Sequence, residues 1–123
     1  MNELQKFGFK GEEIATSYLV NKGYIIRHRN WRTHHIELDI IAENNDFIVV
    51  VEVKTRKNDV FCHPSDAVNY TKIKHIVNAT QSYIFKYNIM KDVRFDIISI
   101  ISLPNGDYEI EHQEDAFFPP MGR

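Results

Sequence analysis

Residues 36–41 read Ile-Glu-Leu-Asp-Ile-Ile, and residues 47–54 read Phe-Ile-Val-Val-Val-Glu-Val-Lys. Both runs are rich in the β-branched and aromatic side chains that favour strands. Between them, residues 43–46 read Glu-Asn-Asn-Asp, a short polar sequence typical of the turn that closes a β-hairpin. The stretch 36–54 therefore predicts two antiparallel strands, and the rest of the fold is expected to be built around this hairpin.

The hairpin also predicts where its charged side chains lie. With Asn44-Asn45 as the turn, residue 41 pairs with residue 48 and residue 39 with residue 50. Because side chains alternate between the faces of a strand, one face is expected to carry four charged groups, Glu37, Asp39, Glu52 and Lys54. Two carboxylates on adjacent strands can hold a hard cation such as Mg²⁺, and a nearby ammonium stabilises charge that develops on a phosphate. This pattern is typical of a phosphodiester-cleaving site.

An alternative interpretation is that these charges form weak ion pairs on a solvated sheet face. By the same alternation, however, that face also carries Ile41, Ile48 and Val50, so it is expected to be covered by another element. Carboxylates crowded at one end of a covered face need a partner, which a metal supplies. Such groups also tend to have perturbed pKa values. The functional interpretation is therefore favoured.

Length and composition define a broad class. The chain has 123 residues, 43% of them hydrophobic and 26% charged, which predicts one globular domain over 1–123, with a core at about 4–112 and a C-terminal tail at 113–123. No apolar stretch approaches membrane-spanning length, and we expect neither a signal peptide nor membrane association. The single Cys62 excludes an intrachain disulfide and fits a cytoplasmic location. A structural zinc is not expected, since no second Cys/His pair has the required spacing.

The net charge of −2 by itself argues against a general nucleic-acid binder, but the distribution of the charges along the chain is more informative. Residues 105–123 hold five acidic residues and one basic residue. Nine of the other fourteen basic residues cluster in three stretches: Lys22, Arg27, Arg29 and Arg32; Lys54, Arg56 and Lys57; and Lys72 and Lys74. If these stretches converge in space, they form a local phosphate-binding surface. The alternative for any one cluster is a set of scattered, solvated side chains.

The N-terminal segment predicts an amphipathic helix from Leu4 to about Lys22, ended by Gly23. At 100° per residue, Glu12 lies beside the apolar stripe, whereas Glu13 lies on the opposite, solvated side. Glu12 is therefore placed to reach over a buried face, and Glu13 is not.

The remaining segments complete an α/β pattern. We predict a strand at 24–31, the hairpin at 36–56, a polar loop at 56–66, and a second helix capped by Ser65 or Asp66 that reaches Tyr87. A central strand at 93–103 and a short edge strand at 108–112 follow. Helices can then cover both faces of a mixed sheet, as in an α/β sandwich.

This order of elements, with Glu12 on the first helix and Asp39, Glu52 and Lys54 on the hairpin, resembles the PD-(D/E)XK nuclease superfamily. The chain is most similar to one branch of it, the YraN-like family of uncharacterised bacterial proteins. The likeness covers about residues 8–101 and is carried by the following residues: Gly11-Glu12, Ala15, Tyr18-Leu19, Gly23-Tyr24, Arg29-Asn30, the run 36–41, the run Val-Glu-Val-Lys-Thr-Arg at 51–56, and Arg94-Phe95-Asp96.

The resemblance implies a restriction-endonuclease-like αβββαβ core and a metal-dependent endonuclease that uses Mg²⁺ or Mn²⁺. It implies Asp39, Glu52 and the Val53 carbonyl as metal ligands, Glu12 as a ligand through water, and Lys54 as the group that assists the attacking water. Four residues of the basic stretches would hold the nucleic acid, namely Arg29, Arg32, Arg56 and Lys72, with Arg56 and Lys72 contacting phosphates at more distant points. Archaeal Holliday junction resolvases place a glutamate and a Glu-X-Lys motif similarly, which implies branched or structured DNA, favoured over RNA, as the substrate.

Two departures from the family pattern leave other functions open. Ile36 stands where the family has Gly and can narrow the site or simply pack, and His75 stands where Arg is usual. One alternative is therefore a nuclease-fold nucleic-acid-binding protein with little or no catalysis. Another is a protein-interaction module that uses the acidic end and the tail at 117–120. The oligomeric state stays open between a monomer and a homodimer.

Overall fold

The computed structural model describes residues 3–57 and 69–117, the first seven of these by their backbone only. Its elements, in chain order, are α1 (Glu3–Asn21), β1 (Ile25–Thr33), β2 (Ile36–Glu43), β3 (Phe47–Lys57), α2 (Tyr70–Tyr87), β4 (Asp92–Ser102) and β5 (Tyr108–Gln113). The five strands form one sheet in the order β1-β2-β3-β4-β5. Only the β3–β4 pair is parallel, so the sheet is mixed and the predicted α/β fold is confirmed.

Each helix covers one face of the sheet through its own apolar core. On the α1 side, Ala15 and Leu19 pack against strand residues that include Ile40, Val49 and Val51. On the α2 side, the core is made by the following buried residues: Leu38, Ile41, Ile48, Val50, Ile76, Val77, Ala79, Tyr83, Phe95, Ile97 and Phe117. Residues 48–51 are buried in succession because β3 is covered on both faces. This double layer places the ends of β2 and β3 between the two helices.

The predicted hairpin register is wrong by two residues. Ile41 pairs with Val50 and Ile40 with Val51, instead of residue 41 with residue 48. The turn is wider than two residues because the side-chain Oδ1 of Asn44 accepts the backbone N–H groups of Asp46 and Phe47, at 3.0 and 2.8 Å. A slip of two residues leaves each side chain on its original face, whereas a slip of one would have reversed them. The predicted antiparallel hairpin is therefore confirmed, although its turn and register were predicted wrongly.

The regular alternation of β2 breaks at Asp39. Leu38 belongs to the core on the α2 side, whereas Ile40 belongs to the core on the α1 side. Two residues of one parity therefore face opposite ways, and the ladder with β3 stops at the Ile40–Val51 pair. The expectation that Asp39 and Glu52 share one face through simple alternation is corrected by this irregularity, which opens the end of the hairpin.

The second helix starts later than predicted. Asn69 is its N-cap, since its side-chain oxygen accepts the backbone N–H of Lys72 at 2.9 Å. Ser65 and Asp66, the predicted caps, lie outside the described residues, as does most of the predicted polar loop at 56–66, because β3 continues to Lys57. Neither α1 nor α2, the helices of the described chain, has the length and apolarity needed to cross a lipid bilayer.

The start of the predicted tail packs on the domain. The Phe117 ring stacks on that of Phe95 at a centroid distance of 5.1 Å, and the Ala116 N–H donates to the Phe95 carbonyl at 2.7 Å. Residues 118–123, which include most of the tail proposed as a contact surface, lie outside the described residues. Through Phe117 the C-terminal segment therefore contributes to the core on the α2 side.

Candidate metal centre

Asp39 lies at the centre of the acidic groups predicted from the hairpin. Its Oδ2 accepts the backbone N–H of Val53 at 2.9 Å, just beyond the last regular pair of β2 and β3. The side chain thus replaces a ladder hydrogen bond and holds the carboxylate between the two separating strands. This position brings Asp39 close to α1 on one side and to Glu52 on the other.

Three carboxylates gather on the α1 side of this opening. One oxygen atom from each of Glu12, Glu37 and Asp39 lies within 4.8 Å of the others. The Asn30 side-chain amide links two of them, donating to Glu12 Oε1 at 2.8 Å and to Glu37 Oε1 at 3.3 Å. Arg32 also donates to Glu37, at 2.8 Å. The strand residues around the carboxylates therefore hold this cluster in place.

Gly11 allows α1 to bring Glu12 to the strands. A Cβ atom at residue 11 would collide with the Thr55 side-chain methyl of β3, and Ile100 of β4 lies behind it. Only a residue without a side chain permits so close an approach of helix to sheet. The two neighbouring residues therefore act together: Gly11 allows α1 to contact β3, and Glu12 carries the carboxylate that joins the cluster.

Burial and the negative charges around Asp39 raise its pKa. Burial raises this pKa, the nearby negative charges of Glu52 and Glu12 raise it further, and the result is a value of about 7 despite the hydrogen bond from Val53. The carboxylates therefore repel one another when no cation lies among them. Such a group favours a bound cation, and perturbed carboxylates of this kind are frequent at functional sites.

Glu52 faces the α2 side. Its buried carboxylate lies 3.2 Å from the Lys72 ammonium of α2. Lys72 also hydrogen-bonds with Lys54, and burial together with this hydrogen bond lowers the pKa of Lys54. For Lys72, burial lowers the pKa, but the hydrogen bond with Lys54 and the charge of Glu52 outweigh that effect and raise it. Glu52, Lys54 and Lys72 therefore form one electrostatically coupled group beside Asp39.

The structure brings most of the predicted site residues together. Glu12, Asp39, Glu52 and Lys54 surround the open end of the hairpin, and Val53 contacts Asp39 through its N–H, while a role for its carbonyl stays a prediction. Glu37 belongs to the carboxylate cluster although it was not among the predicted ligands. The hairpin pattern had placed Glu37 near Asp39, so a signal for it was present.

The predicted nucleic-acid contacts are dispersed around this centre. Arg29 forms an ion pair with Glu13 at 2.7 Å, and Arg32 forms one with Glu37 at 2.8 Å. Arg56 lies near the end of β3 and has its own interactions. Lys72, predicted to contact phosphate at some distance from the chemistry, lies inside the centre instead. Glu13 lies outside the carboxylate cluster, as its position on the helix predicted.

The donor set fits a hard divalent cation. Carboxylate oxygens are the ligands that Mg²⁺ and Mn²⁺ prefer, and Asp39 is destabilised in its charged form without a positive partner. The described residues offer two candidate combinations: Glu12, Glu37 and Asp39 by proximity, and Asp39, Glu52 and the Val53 carbonyl by the family resemblance. Both share Asp39 and the open end of the hairpin.

A second polar cluster, built on Arg94-Phe95-Asp96, has a structural role. Asp96 is fully buried and accepts two hydrogen bonds from Arg94, at 2.9 and 2.8 Å. His112 Nε2 lies 2.7 Å from the Asp96 carboxylate, and His112 Nδ1 lies 3.0 Å from the Tyr18 hydroxyl, both at hydrogen-bonding distance. These bonds tie β4 to β5 and α1. They explain the motif by folding, without chemistry at the metal centre.

Comparison with known proteins identifies one family. The family model described as "Uncharacterised protein family UPF0102" matches residues 11–100. A UPF0102 protein of Phocaeicola vulgatus is 48% identical over 98% of this chain and 99% of its own length. A UPF0102 protein of Bacteroides thetaiotaomicron is 47% identical with the same coverage, and one of Alkaliphilus oremlandii is 47% identical over 92% of this chain and 98% of its own. The similarity thus spans the whole described fold.

Proposed function

The chain belongs to the uncharacterised protein family UPF0102. We propose from its site that it is a metal-dependent endonuclease that hydrolyses phosphodiester bonds of branched or structured DNA. The observation that carries this proposal is the gathering of the Glu12, Glu37 and Asp39 carboxylates within 4.8 Å, beside the Glu52–Lys54 strand. A cytoplasmic location forms part of the proposal and agrees with the single cysteine.

In this proposal Asp39 and Glu52 hold Mg²⁺ or Mn²⁺, with the Val53 carbonyl as a third ligand and Glu12 acting through water. When bound, the ion supplies Lewis acidity toward water and phosphate oxygens. Asp39 is fixed for this task by its hydrogen bond from Val53, and Glu12 by its hydrogen bond from Asn30. Preorganised ligands of this kind need little rearrangement on binding.

Lys54 is the residue proposed to act on the reacting groups. Its pKa is lowered by burial and by Lys72, so more of the amine is neutral than in a free lysine. A neutral amine can accept a proton from the attacking water, and a charged one can stabilise the phosphate as negative charge develops. Both roles act in the chemical step. Loss of Lys54 is therefore expected to slow cleavage more than it weakens DNA binding.

The experiment is a cleavage and binding assay with Mn²⁺ or Mg²⁺. The substrates are linear duplex, single-stranded, flapped and four-way DNA, with a matched RNA duplex. Lys54→Ala is expected to cleave at least about a hundredfold more slowly in single turnover and to bind DNA nearly as the wild type does. Lys86→Ala, at an exposed position of α2 outside the basic stretches, is the control and should cleave normally.

Two results would contradict the endonuclease. A wild-type protein that binds DNA in a salt-dependent way but never cleaves it would favour a binding module. A protein that binds neither metal nor nucleic acid would exclude both functions. Equal cleavage by Lys54→Ala and the wild type would leave an endonuclease whose chemistry does not use Lys54.

A further inference from the structure

Lys72 lies where a bound cation would be expected. It belongs to the first turn of α2, and its own backbone N–H donates to the Asn69 cap at 2.9 Å, which fixes the start of the helix. From there its side chain reaches the strands and places Nζ 3.2 Å from Glu52 Oε2. The helix cap thus anchors a flexible side chain at the edge of the carboxylate cluster.

The ion pair between Lys72 and Glu52 compensates a buried negative charge. The Glu52 side chain is only 4% exposed, and a buried carboxylate needs a positive partner. Lys72 supplies that charge, and its influence extends to Asp39, whose pKa it lowers against the stronger opposing effects of burial and Glu52. Lys72 therefore pairs with one of the carboxylates that the proposed function assigns to a metal, Glu52, and partly offsets the repulsion on a second, Asp39.

The Lys72 side chain is also more exposed to solvent than a partner in a buried ion pair usually is. Its side chain is 41% exposed, in contrast to that of Glu52, so it can leave the ion pair for solvent without disturbing the core. A divalent ion that binds Glu52 brings two positive charges to the same oxygen atoms. The ammonium and the ion would then repel one another at close distance.

We propose that Lys72 is a tethered counter-cation of the metal centre: while no metal is bound it pairs with Glu52 and lessens the repulsion on Asp39, and it leaves Glu52 when Mg²⁺ or Mn²⁺ binds. The Glu52–Lys72 ion pair and the metal at Glu52 then exclude each other. This inference rests on the proposed function. The released ammonium stays on α2 beside the site, where a substrate phosphate is a suitable partner.

The first test measures Mn²⁺ affinity without DNA or cleavage, by electron paramagnetic resonance of free Mn²⁺ at pH 8 and low salt. Lys72→Met keeps much of the side chain but removes the competing charge, so it is expected to bind Mn²⁺ about three- to tenfold more tightly than the wild type. Lys74→Met is the control, because it removes the same charge from an exposed position of the same helix. It should change the affinity less than twofold, by long-range charge alone.

The second test uses the wild-type protein, so it does not depend on the folding of a variant. A brief treatment with an amine-acetylating reagent is followed by mass spectrometry of the modified peptides, with and without Mn²⁺. Release from Glu52 should increase the acetylation of Lys72 severalfold, while the acetylation of Lys74 stays constant.

The outcomes separate this inference from the proposed function. Equal Mn²⁺ affinities of Lys72→Met and the wild type, or acetylation of Lys72 that does not rise with Mn²⁺, would overturn the counter-cation role alone. If neither protein binds Mn²⁺, the metal-dependent function fails as well, and the inference fails with it. Tighter binding only in Lys72→Met, together with increased acetylation of Lys72, would support it.

Discussion

The carboxylate of Asp39 accepts the backbone N–H of Val53 at 2.9 Å, one step beyond the last regular pair between β2 and β3. This hydrogen bond links β2 to β3 at the point where the irregularity at Asp39 ends their regular pairing. It also places an acidic group, with a pKa raised to about 7 by burial and by its acidic neighbours, between α1 and Glu52. The site is therefore formed where regular strand pairing stops, with a further carboxylate, Glu12, from α1 and the ammonium of Lys72 from α2.

Replacement of Asp39 by Asn is expected to stabilise the protein at neutral pH. The folded state holds a proton on Asp39 up to about pH 7, whereas the unfolded chain releases it near pH 4, so stability decreases as the pH rises between these values. Above pH 7, Asp39→Asn should exceed the wild type by on the order of 1–3 kcal/mol in metal-free buffer, and the difference should vanish near pH 4. Urea unfolding across this pH range measures it.

Asp46→Asn is the control for this prediction, because Asp46 is exposed in the hairpin turn. Its stability should follow that of the wild type at each pH. An Asp39→Asn variant that is less stable than the wild type at pH 8 would mean that Asp39 is a structural partner and not a self-repelling ligand.

Glu12 and Glu13 are neighbours in sequence with different expected effects. Glu12 belongs to the carboxylate cluster, whereas Glu13 pairs with Arg29. Glu12→Gln should therefore weaken Mn²⁺ binding about tenfold or more, while Glu13→Gln should leave it within about twofold of the wild type. Glu37→Gln is expected to behave like Glu12→Gln. Calorimetric titration measures all three, and equal losses at Glu12 and Glu13 would contradict the assignment of Glu12.

Gly11→Ala should displace α1 from the sheet. The added methyl group would collide with the Cγ2 methyl of Thr55, and overpacking of this kind destabilises proteins by about 1–3 kcal/mol. Because the helix carries Glu12, Mn²⁺ affinity should fall as well. Urea unfolding and metal titration of the same sample record both effects.

Thr55→Ser supplies the matched rescue for Gly11→Ala, since it removes the methyl group that causes the collision. The double variant Gly11→Ala with Thr55→Ser should recover most of the lost stability and metal affinity. If the double variant is as impaired as Gly11→Ala alone, the close approach of α1 to β3 is not what residue 11 protects.

Asp96→Asn is expected to destabilise the fold without a direct effect on the metal centre. Burial alone would raise the pKa of Asp96, but hydrogen bonds from His112 and Arg94 lower it, so the charged form contributes stability that is lost as the pH falls below about 4. The variant leaves the buried Arg94 without its buried anionic partner, so that only the exposed Glu114 carboxylate at 3.4 Å remains, and the expected cost is about 3–5 kcal/mol at pH 7.

The control for Asp96→Asn is Glu109→Gln, at an exposed position of β5, which should unfold like the wild type. Thermal unfolding at pH 7 and pH 3.5 distinguishes the two. An Asp96→Asn protein of normal stability would contradict the structural role of Arg94-Phe95-Asp96.

The sequence by itself determined the element order and the face that α1 turns to the sheet. Apolar runs such as 47–51 specify a strand covered on both faces, and the helical spacing around Gly11 and Glu12 specifies which side of α1 faces the sheet. These are local properties, because each depends on side chains within a few residues of one another. They correctly predicted an α/β sandwich and the approach of Glu12 to the hairpin.

Only the tertiary structure decided how the charges are paired. The side chain of Asn44 widened the hairpin turn, and packing on both faces broke the alternation at Asp39, so the register of the pairing could not be obtained from periodicity. The contact of Lys72 with Glu52 joins α2 to β3 across residues that are distant in sequence. Such pairings depend on how the helices pack on the sheet, because a charged side chain takes its partner from whatever group the fold places beside it.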